Sequence, residues 1–302
     1  MENIEELGSL REIEAIRFSL RWLEPYFNNP MVTDIFIDKG IVSVKEFGKE
    51  RCDTNVILTI QETKNIIVQI AKYLNKTIDW DNYPVLEGTI PCYEARITGL
   101  LSWSKEPVVI IRKRPQFVFS LKDYVDKGQL KPSDAALIKD AIKKRQNILV
   151  SGGPGSGKTT FTNAIIDEMA KEYPNDSYFI VEDTSELNCM AKYAELITVP
   201  PHLASKAIEL SLRSSPDRII FGEIRSGKVL KALLDSWNTG CPGGVATIHA
   251  NTASSTLERM KSLFLEEGIK DWESYNSVSL IIHLSKSKEL GVYVDEVLVR
   301  KH

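Results

Sequence analysis

Apolar residues recur at two periods along this chain, and the change of period divides it. Residues 9–24 place Ile13, Ile16, Leu20 and Leu23 on one helical face and Arg11, Arg17 and Arg21 on another, the pattern of an amphipathic helix. Pro25 should end it. Two short runs, 32–37 and 41–45, alternate as strands, and Asp38-Lys39-Gly40 between them reads as a hairpin turn with glycine in a left-handed position. Residues 63–74 predict a helix through Ile66, Ile67, Ile70 and Leu74. Residues 85–98 hold further strand-like material, and Val108-Val109-Ile110-Ile111 predicts a buried strand. Helices and strands mix here without regular alternation, which predicts a separate α+β domain over residues 1–115.

Residues 116–130 read as the connection between domains. Phe117, Phe119, Leu121 and Tyr124 argue that it packs against something. Over 131–302 the pattern becomes regular. A helix over 130–145 starts near Pro132 and precedes the apolar run Asn147-Ile148-Leu149-Val150. Helical faces follow in Phe161, Ile165 and Met169, in Leu230, Leu233, Leu234 and Trp237, and in Leu257, Met260 and Phe264. Between them lie the runs Tyr178-Phe179-Ile180-Val181, Ile219-Ile220-Phe221 and Val245-Ala246-Thr247-Ile248. Two last strands, 279–284 and 292–299, join through a lysine-rich loop. Apolar strands with polar carboxyl ends, alternating with helices, predict an α/β domain with a mostly parallel sheet and a nucleotide site along one edge.

Composition narrows the class. The 302 residues are 43% hydrophobic and 26% charged, with a net charge of −3. No global basic field recruits nucleic acid, so direct sequence-specific binding is not expected. No apolar stretch approaches the ~18 residues of a membrane span. The acidic start, Met1 to Glu6, lacks a signal-peptide core. The expectation is a cytoplasmic protein that can still meet a membrane at its surface. Cys52, Cys92, Cys189 and Cys241 form no C-x-x-C pair, so neither a zinc ribbon nor a disulfide framework is suggested.

The candidate chemistry centres on Gly152-Gly153-Pro154-Gly155-Ser156-Gly157-Lys158-Thr159, followed by Thr160. It fits G-x-x-x-x-G-K-[ST], a phosphate-binding loop, and has a strand before it and a helix after it. Its glycines let backbone N–H groups close around a polyphosphate. Lys158 can reach the β- and γ-phosphates, and the Thr159 hydroxyl can ligate Mg²⁺. Three later strands also end in polar residues: one delivers Glu182, Asp183 and Glu186, the next Glu223, the last His249. Glu223 is the Walker B candidate, able to orient or deprotonate the attacking water. An acidic loop capping the next helix is the plainer reading of 182–186, but its position at the carboxyl end of a strand favours carboxylates beside the metal and the attacking water. A lone histidine at a strand end is ordinarily structural, and surface arginines such as Arg96 and Arg112 are ordinarily solvated.

In this order the motifs resemble the secretion ATPase superfamily that powers type II and type IV secretion and pilus machines. G-G-P-G-S-G-K-T-T is the phosphate loop. I-V-E-D-T-S-E-L is similar to the family's aspartate box, R-S-S-P-D-R-I-I-F-G-E-I-R to its Walker B region, and T-G-C-P-G-G-V-A-T-I-H-A-N to its histidine box. V-V-I-I-R-K-R-P followed by F-S-L-K-D-Y-V, with W-N-T-G-C-P-G-G-V-A-T-I-H-A-N, is most similar to the conjugal-transfer and type IV secretion branch, which the missing C-x-x-C pairs support, and Cys241 stands where the histidine box often has a first His. The resemblance implies a RecA-like ATPase domain preceded by a smaller N-terminal domain. It implies a homohexamer that is cytoplasmic and peripheral at the inner membrane, with secretion or conjugation channel proteins as partners and ATP and Mg²⁺ as ligands. Hydrolysis would move the two domains relative to each other. Residue by residue, it implies phosphate contact by Gly153, Pro154, Gly155, Ser156, Gly157, Lys158, Thr159 and Thr160. It implies that Glu182 and Glu223 are the catalytic acids, with Glu223 as base and either acid holding the metal through water. His249 becomes a γ-phosphate sensor, and Arg96 and Arg112 reach the phosphates from the N-terminal domain. Type IV pilus or type II secretion motors, a DNA translocase and a non-hydrolytic ATP-binding scaffold are the alternatives.

Overall fold

The computed structural model describes residues 2–300 except 80, 91, 94, 102–104, 115–116 and 273–274, and only the backbone of 2–9. It forms two units, Met1–Phe117 and Val118–His302.

Six strands build the sheet of the first unit: β1 (Val32–Asp38), β2 (Ile41–Glu46), β3 (Cys52–Ile57), β4 (Val85–Ile90), β5 (Ala95–Leu100) and β6 (Val108–Arg112). Their order is β3-β2-β1-β6-β5-β4, and every neighbouring pair is antiparallel. The turn after β1 puts both Lys39 and Gly40 at positive φ, 52° and 74°, which matches the right-handed twist of the flanking strands. Helices α1 (Glu2–Leu20), α2 (Glu24–Asn28) and α3 (Ile60–Tyr73) supply Ile16, Leu20, Phe27, Ile66 and Ile70 to a core shared with Ile35, Ile37, Ile97, Val109 and Ile111. Pro25 does not close the helical stretch; it opens α2 at the first turn, where its missing N–H has no partner to lose. Strand β3 was not expected: it is a sheet edge whose residues are largely exposed, so no clean apolar alternation marks it. Lys113, just past β6, is buried and donates from Nζ to the carbonyls of Tyr26 and Asn29, at 3.0 and 2.7 Å, capping the end of α2. Burial pushes its amine down to about 8.

The second unit carries α4 (Leu121–Asp126), α5 (Pro132–Lys143), α6 (Lys158–Glu172), α7 (Ala204–Ser211), α8 (Gly227–Asn238) and α9 (Ala253–Glu266) around β7 (Asn147–Gly152), β8 (Ser177–Glu182), β9 (Tyr193–Thr198), β10 (Arg218–Ile224), β11 (Val245–Ile248), β12 (Val278–Ser287) and β13 (Gly291–Val299). The strand order is β13-β12-β7-β11-β10-β8-β9. Every neighbouring pair is parallel except β12 with β13, so the expected mostly parallel sheet is present. On one face, Ile208, Leu230, Leu233, Trp237, Leu263 and Phe264 of α7, α8 and α9 pack on Leu149, Phe179, Val181, Ile219 and Ala246. Helices α5 and α6 pack against β7, β11 and β12.

The described part of the connection expected over 116–130 is packed, as its aromatic residues argue. From Val118 on it belongs to the second unit. Ser120 and Asp123 close a capping box at the start of α4. Leu121 and Tyr124 are buried, and the Tyr124 ring meets Phe161 edge-on at 5.0 Å. Gln129 then donates from its side-chain amide, Nε2, to Leu290 O at 2.6 Å, tying the segment to the turn between β12 and β13.

Candidate nucleotide site

The phosphate loop leaves β7, a strand buried along its whole length, and enters α6 at Lys158. Two of its glycines are required by packing. A Cβ on Gly152 would stand 2.4 Å from Ser156 Oγ and 2.7 Å from Leu284 O. Gly157 caps α6 with φ 78°, and a Cβ there would meet Val292 of β13 at 2.9 Å. At Gly153 and Gly155 a Cβ would meet nothing within 4 Å. The loop is thus pinned at its ends and opens onto free space in the middle, as a cradle for a polyphosphate must. The positive end of the helix dipole of α6 points into the loop. Thr159 and Thr160 lie in the first helical turn, and Pro154 is exposed at the loop tip.

Lys158 is buried, and its Nζ donates to Gly152 O at 3.0 Å and Gly153 O at 3.1 Å. It also lies 3.4 Å from His249 Nδ1. Burial lowers its pKa from the ordinary lysine value; Glu223 and Glu186 oppose that lowering, and Arg225 adds to it.

The strand order explains which groups meet. In the sequence, the strands run β7, β8, β10, β11; in the sheet they stand β7, β11, β10, β8. The carboxyl end of β11, with His249, is therefore next to the phosphate loop, and Glu223 at the end of β10 is next to His249. His249 Nε2 and Glu223 Oε1 are 2.6 Å apart. Lys158, His249 and Glu223 form one line. With a charged Lys158 facing Nδ1, the proton of a neutral His249 belongs on Nε2, facing Glu223. Thr247 Oγ1 donates to Gly222 O at 2.6 Å and fixes the end of β10 against β11.

Glu182 stands one strand further out, at the end of β8, and is buried. Its Oε2 accepts the N–H groups of Glu186 and Leu187, both at 2.9 Å. This carboxylate therefore folds the acidic loop back over its own strand end. Asn163 of α6 holds the same loop from the other side. Its Nδ2 donates to Glu186 O at 3.1 Å, and its Oδ1 accepts from Asn188 N at 2.8 Å.

Arg96 and Arg112 belong to the first unit, where β5 and β6 pair them directly across the ladder. The Arg112 Nε donates to Asp34 Oδ1 at 3.0 Å, on the adjoining strand β1. The sequence motifs give no individual role to Arg225, Asn163 or His283. Arg225 grips both Glu223 and Asp183. His283 of β12, buried, lies with Nδ1 3.1 Å from Oγ of Ser151, the residue just before the loop. Only the first had a local signal: Arg225, just past β10, follows Glu223 at the two-residue spacing that puts side chains on one side of an extended chain.

Among the described residues no helix is long and apolar enough to cross a membrane, and no cluster of His, Cys, Asp and Glu could by itself hold a metal ion. Mg²⁺ shared with phosphate takes few protein ligands, and a hydroxyl such as that of Thr159, in the first turn of α6, is a donor of the kind it accepts.

The chain is similar to proteins described as conjugal transfer proteins. It is 41% identical over 203 residues to the probable conjugal transfer protein TrbB of Sinorhizobium fredii, a match spanning 67% of this chain and 62% of the relative. It is 39% identical over 237 residues to the conjugal transfer protein TrbB of Rhizobium radiobacter, spanning 77% and 72%. The chain thus covers less than two thirds of the first relative's length. Its fold is similar to the X-ray structure of the ATPase DotB of Legionella pneumophila, with a TM-score of 0.66 and 20% identity over 92% of this chain and 79% of that one. The profile of the type II/IV secretion system protein family matches residues 89–290, which hold the loop, both strand-end acids and His249. The chain belongs to the type II/IV secretion system protein family.

Proposed function

We propose that this chain is an ATP-hydrolysing subunit of a homohexameric motor that energises a type IV secretion or conjugation machine. The observation that carries the hydrolytic part is the line Lys158, His249, Glu223 across three adjacent strand ends. It puts a phosphate-binding cation and a carboxylate base on either side of one imidazole. The loop N–H groups and Lys158 bind the β- and γ-phosphates. Glu223 orients the attacking water and takes its proton. His249 senses the γ-phosphate from between them, since any shift of Lys158 toward phosphate changes its own Nδ1 partner. Thr159 would hold Mg²⁺, with Glu182 or Glu223 acting through water, and the bound ion would supply neutralisation of charge on the phosphate oxygens. Arg96 and Arg112 are the first unit's candidates for phosphate contact, a role in which Arg112 must share or release Asp34.

The machine assignment rests on the family and on relatives described as conjugal transfer proteins. With it go a cytoplasmic location, peripheral at the inner membrane, and partners among the channel proteins there. The test is phosphate release and native mass for the wild type and Lys158→Ala, each with ATP and Mg²⁺, with and without lipid vesicles. The expected result is a hexamer that releases phosphate, with release lost in the variant. A monomer that releases no phosphate under all conditions would contradict the reading.

A further inference from the structure

Glu223 has a different partner on each carboxylate oxygen. Oε1 meets His249 Nε2 at 2.6 Å. Oε2 accepts from Arg225, through Nε at 2.9 Å and through Nη2. The remaining guanidinium edge does not face solvent alone: Nη1 is paired with Oδ2 of Asp183, in the loop after β8. The planar fork of Arg225 is therefore fixed at two ends by carboxylates from two neighbouring strand ends. A glutamate has three rotatable bonds, and one partner would leave its carboxylate free to turn. Partners on both oxygens select one orientation.

From this geometry we propose that Arg225, itself held by Asp183, is a positioning residue that sets the orientation of the Glu223 carboxylate for the hydrolytic step. The proposal rests on the reading of Glu223 as the base and goes beyond it, since neither Arg225 nor Asp183 then needs to touch nucleotide. The chain Asp183, Arg225, Glu223, His249, Lys158 alternates in its charged groups and runs from the acidic loop to the phosphate loop. The placement of the acidic loop is thereby read out at the base. Lysine cannot replace Arg225, because a single ammonium point charge cannot hold two carboxylates in one plane.

The test uses the full chain with Mg²⁺ and ATP. Steady-state phosphate release gives kcat and KM, and a non-hydrolysable ATP analogue gives Kd, for Arg225→Ala, Arg225→Lys, Asp183→Asn and the double variant Arg225→Ala/Asp183→Asn. We expect Arg225→Ala to lower kcat about 10- to 100-fold, with KM and analogue Kd within about threefold, the signature of an interaction that matters only in the chemical step. Arg225→Lys should recover little of the loss. Asp183→Asn should lower kcat by a smaller factor and add nothing in the Arg225→Ala background. Weakened analogue binding with kcat preserved would instead make Arg225 a phosphate contact and overturn the proposal. So would independent, multiplying losses at the two sites. If Arg225→Ala does not fold, Arg225→Lys and Asp183→Asn decide by the same kcat-against-KM split. A wild-type chain that binds the analogue yet releases no phosphate overturns the hydrolytic reading and this proposal together. A hydrolysing wild type with multiplying losses overturns only the proposal.

Discussion

Gly222 and Glu182 approach so closely across β10 and β8 that a Cβ on the glycine would stand 2.9 Å from the Cβ of Glu182 and 3.4 Å from its Cα. The residue before the candidate base is thus the spacer that lets two acid-bearing strands lie side by side. Gly222→Ala must push the ends of β8 and β10 apart. Overpacking of this kind costs about 1–3 kcal/mol, and here it falls on the strand ends that aim both carboxylates. We expect phosphate release to fall at least about tenfold, since small misplacements of reacting groups are costly, with the urea midpoint lowered modestly. A variant with full activity would show that the spacing of the two strand ends is not what orients the acids.

The phosphate loop answers to a histidine far away in sequence. His283 is buried beside Ser151. Burial pushes it below the ordinary histidine value of 6.5, opposed by Asp295 and Glu296 and reinforced by Lys158. The unfolded chain therefore binds a proton at this side chain before the folded one does. Stability present above about pH 6.5 is lost as pH falls from there toward the lowered folded value, and levels off below it. Urea unfolding between pH 7.5 and 5 should show a steeper loss for the wild type than for His283→Gln. Parallel curves for the two proteins would count against this sign.

At the opposite ends of the same strands, Asp176 accepts from two arginines. Arg218, with no exposed surface, donates from Nε at 2.8 Å, and Arg145 donates from Nη2 at 2.7 Å. Arg218 Nη1 also donates to Gly243 O at 2.6 Å, ahead of the strand that carries His249. Removing the shared carboxylate leaves buried positive charge without compensation, which costs about 3–5 kcal/mol. Asp176→Ala should lose stability on that scale in urea unfolding, while the nucleotide affinity of the folded fraction stays near wild type. A loss under about 1 kcal/mol would mean the guanidiniums find other partners.

Much of the site was legible because its parts are local. Loop, following helix and strand-end acids each sit within a few residues of a strong apolar run, and four such strand ends read in order implied a shared edge. What the linear order hid is adjacency. Strand β11 inserts between β7 and β10, so His249 stands between Lys158 and Glu223 although it comes last in sequence. The pairs Arg225 with Asp183 and His283 with Ser151 join residues 42 and 132 positions apart, which no periodicity can report. Strand β9 and helix α7 went unread for another reason. Tyr193–Thr198 is a partly exposed sheet edge, and α7 has only eight residues, too short for its period to stand out from the polar residues around it.

The central claim is that Glu223, lined up with His249 and Lys158, is the base for ATP hydrolysis. Glu223→Gln keeps the shape of the side chain and removes its ability to take a proton. Single-turnover phosphate release, measured beside the Kd of a non-hydrolysable ATP analogue, tests the claim directly. Release should fall by about 100-fold or more, in the range general bases contribute, while analogue Kd stays within about threefold. Unchanged phosphate release in the Gln variant would contradict it.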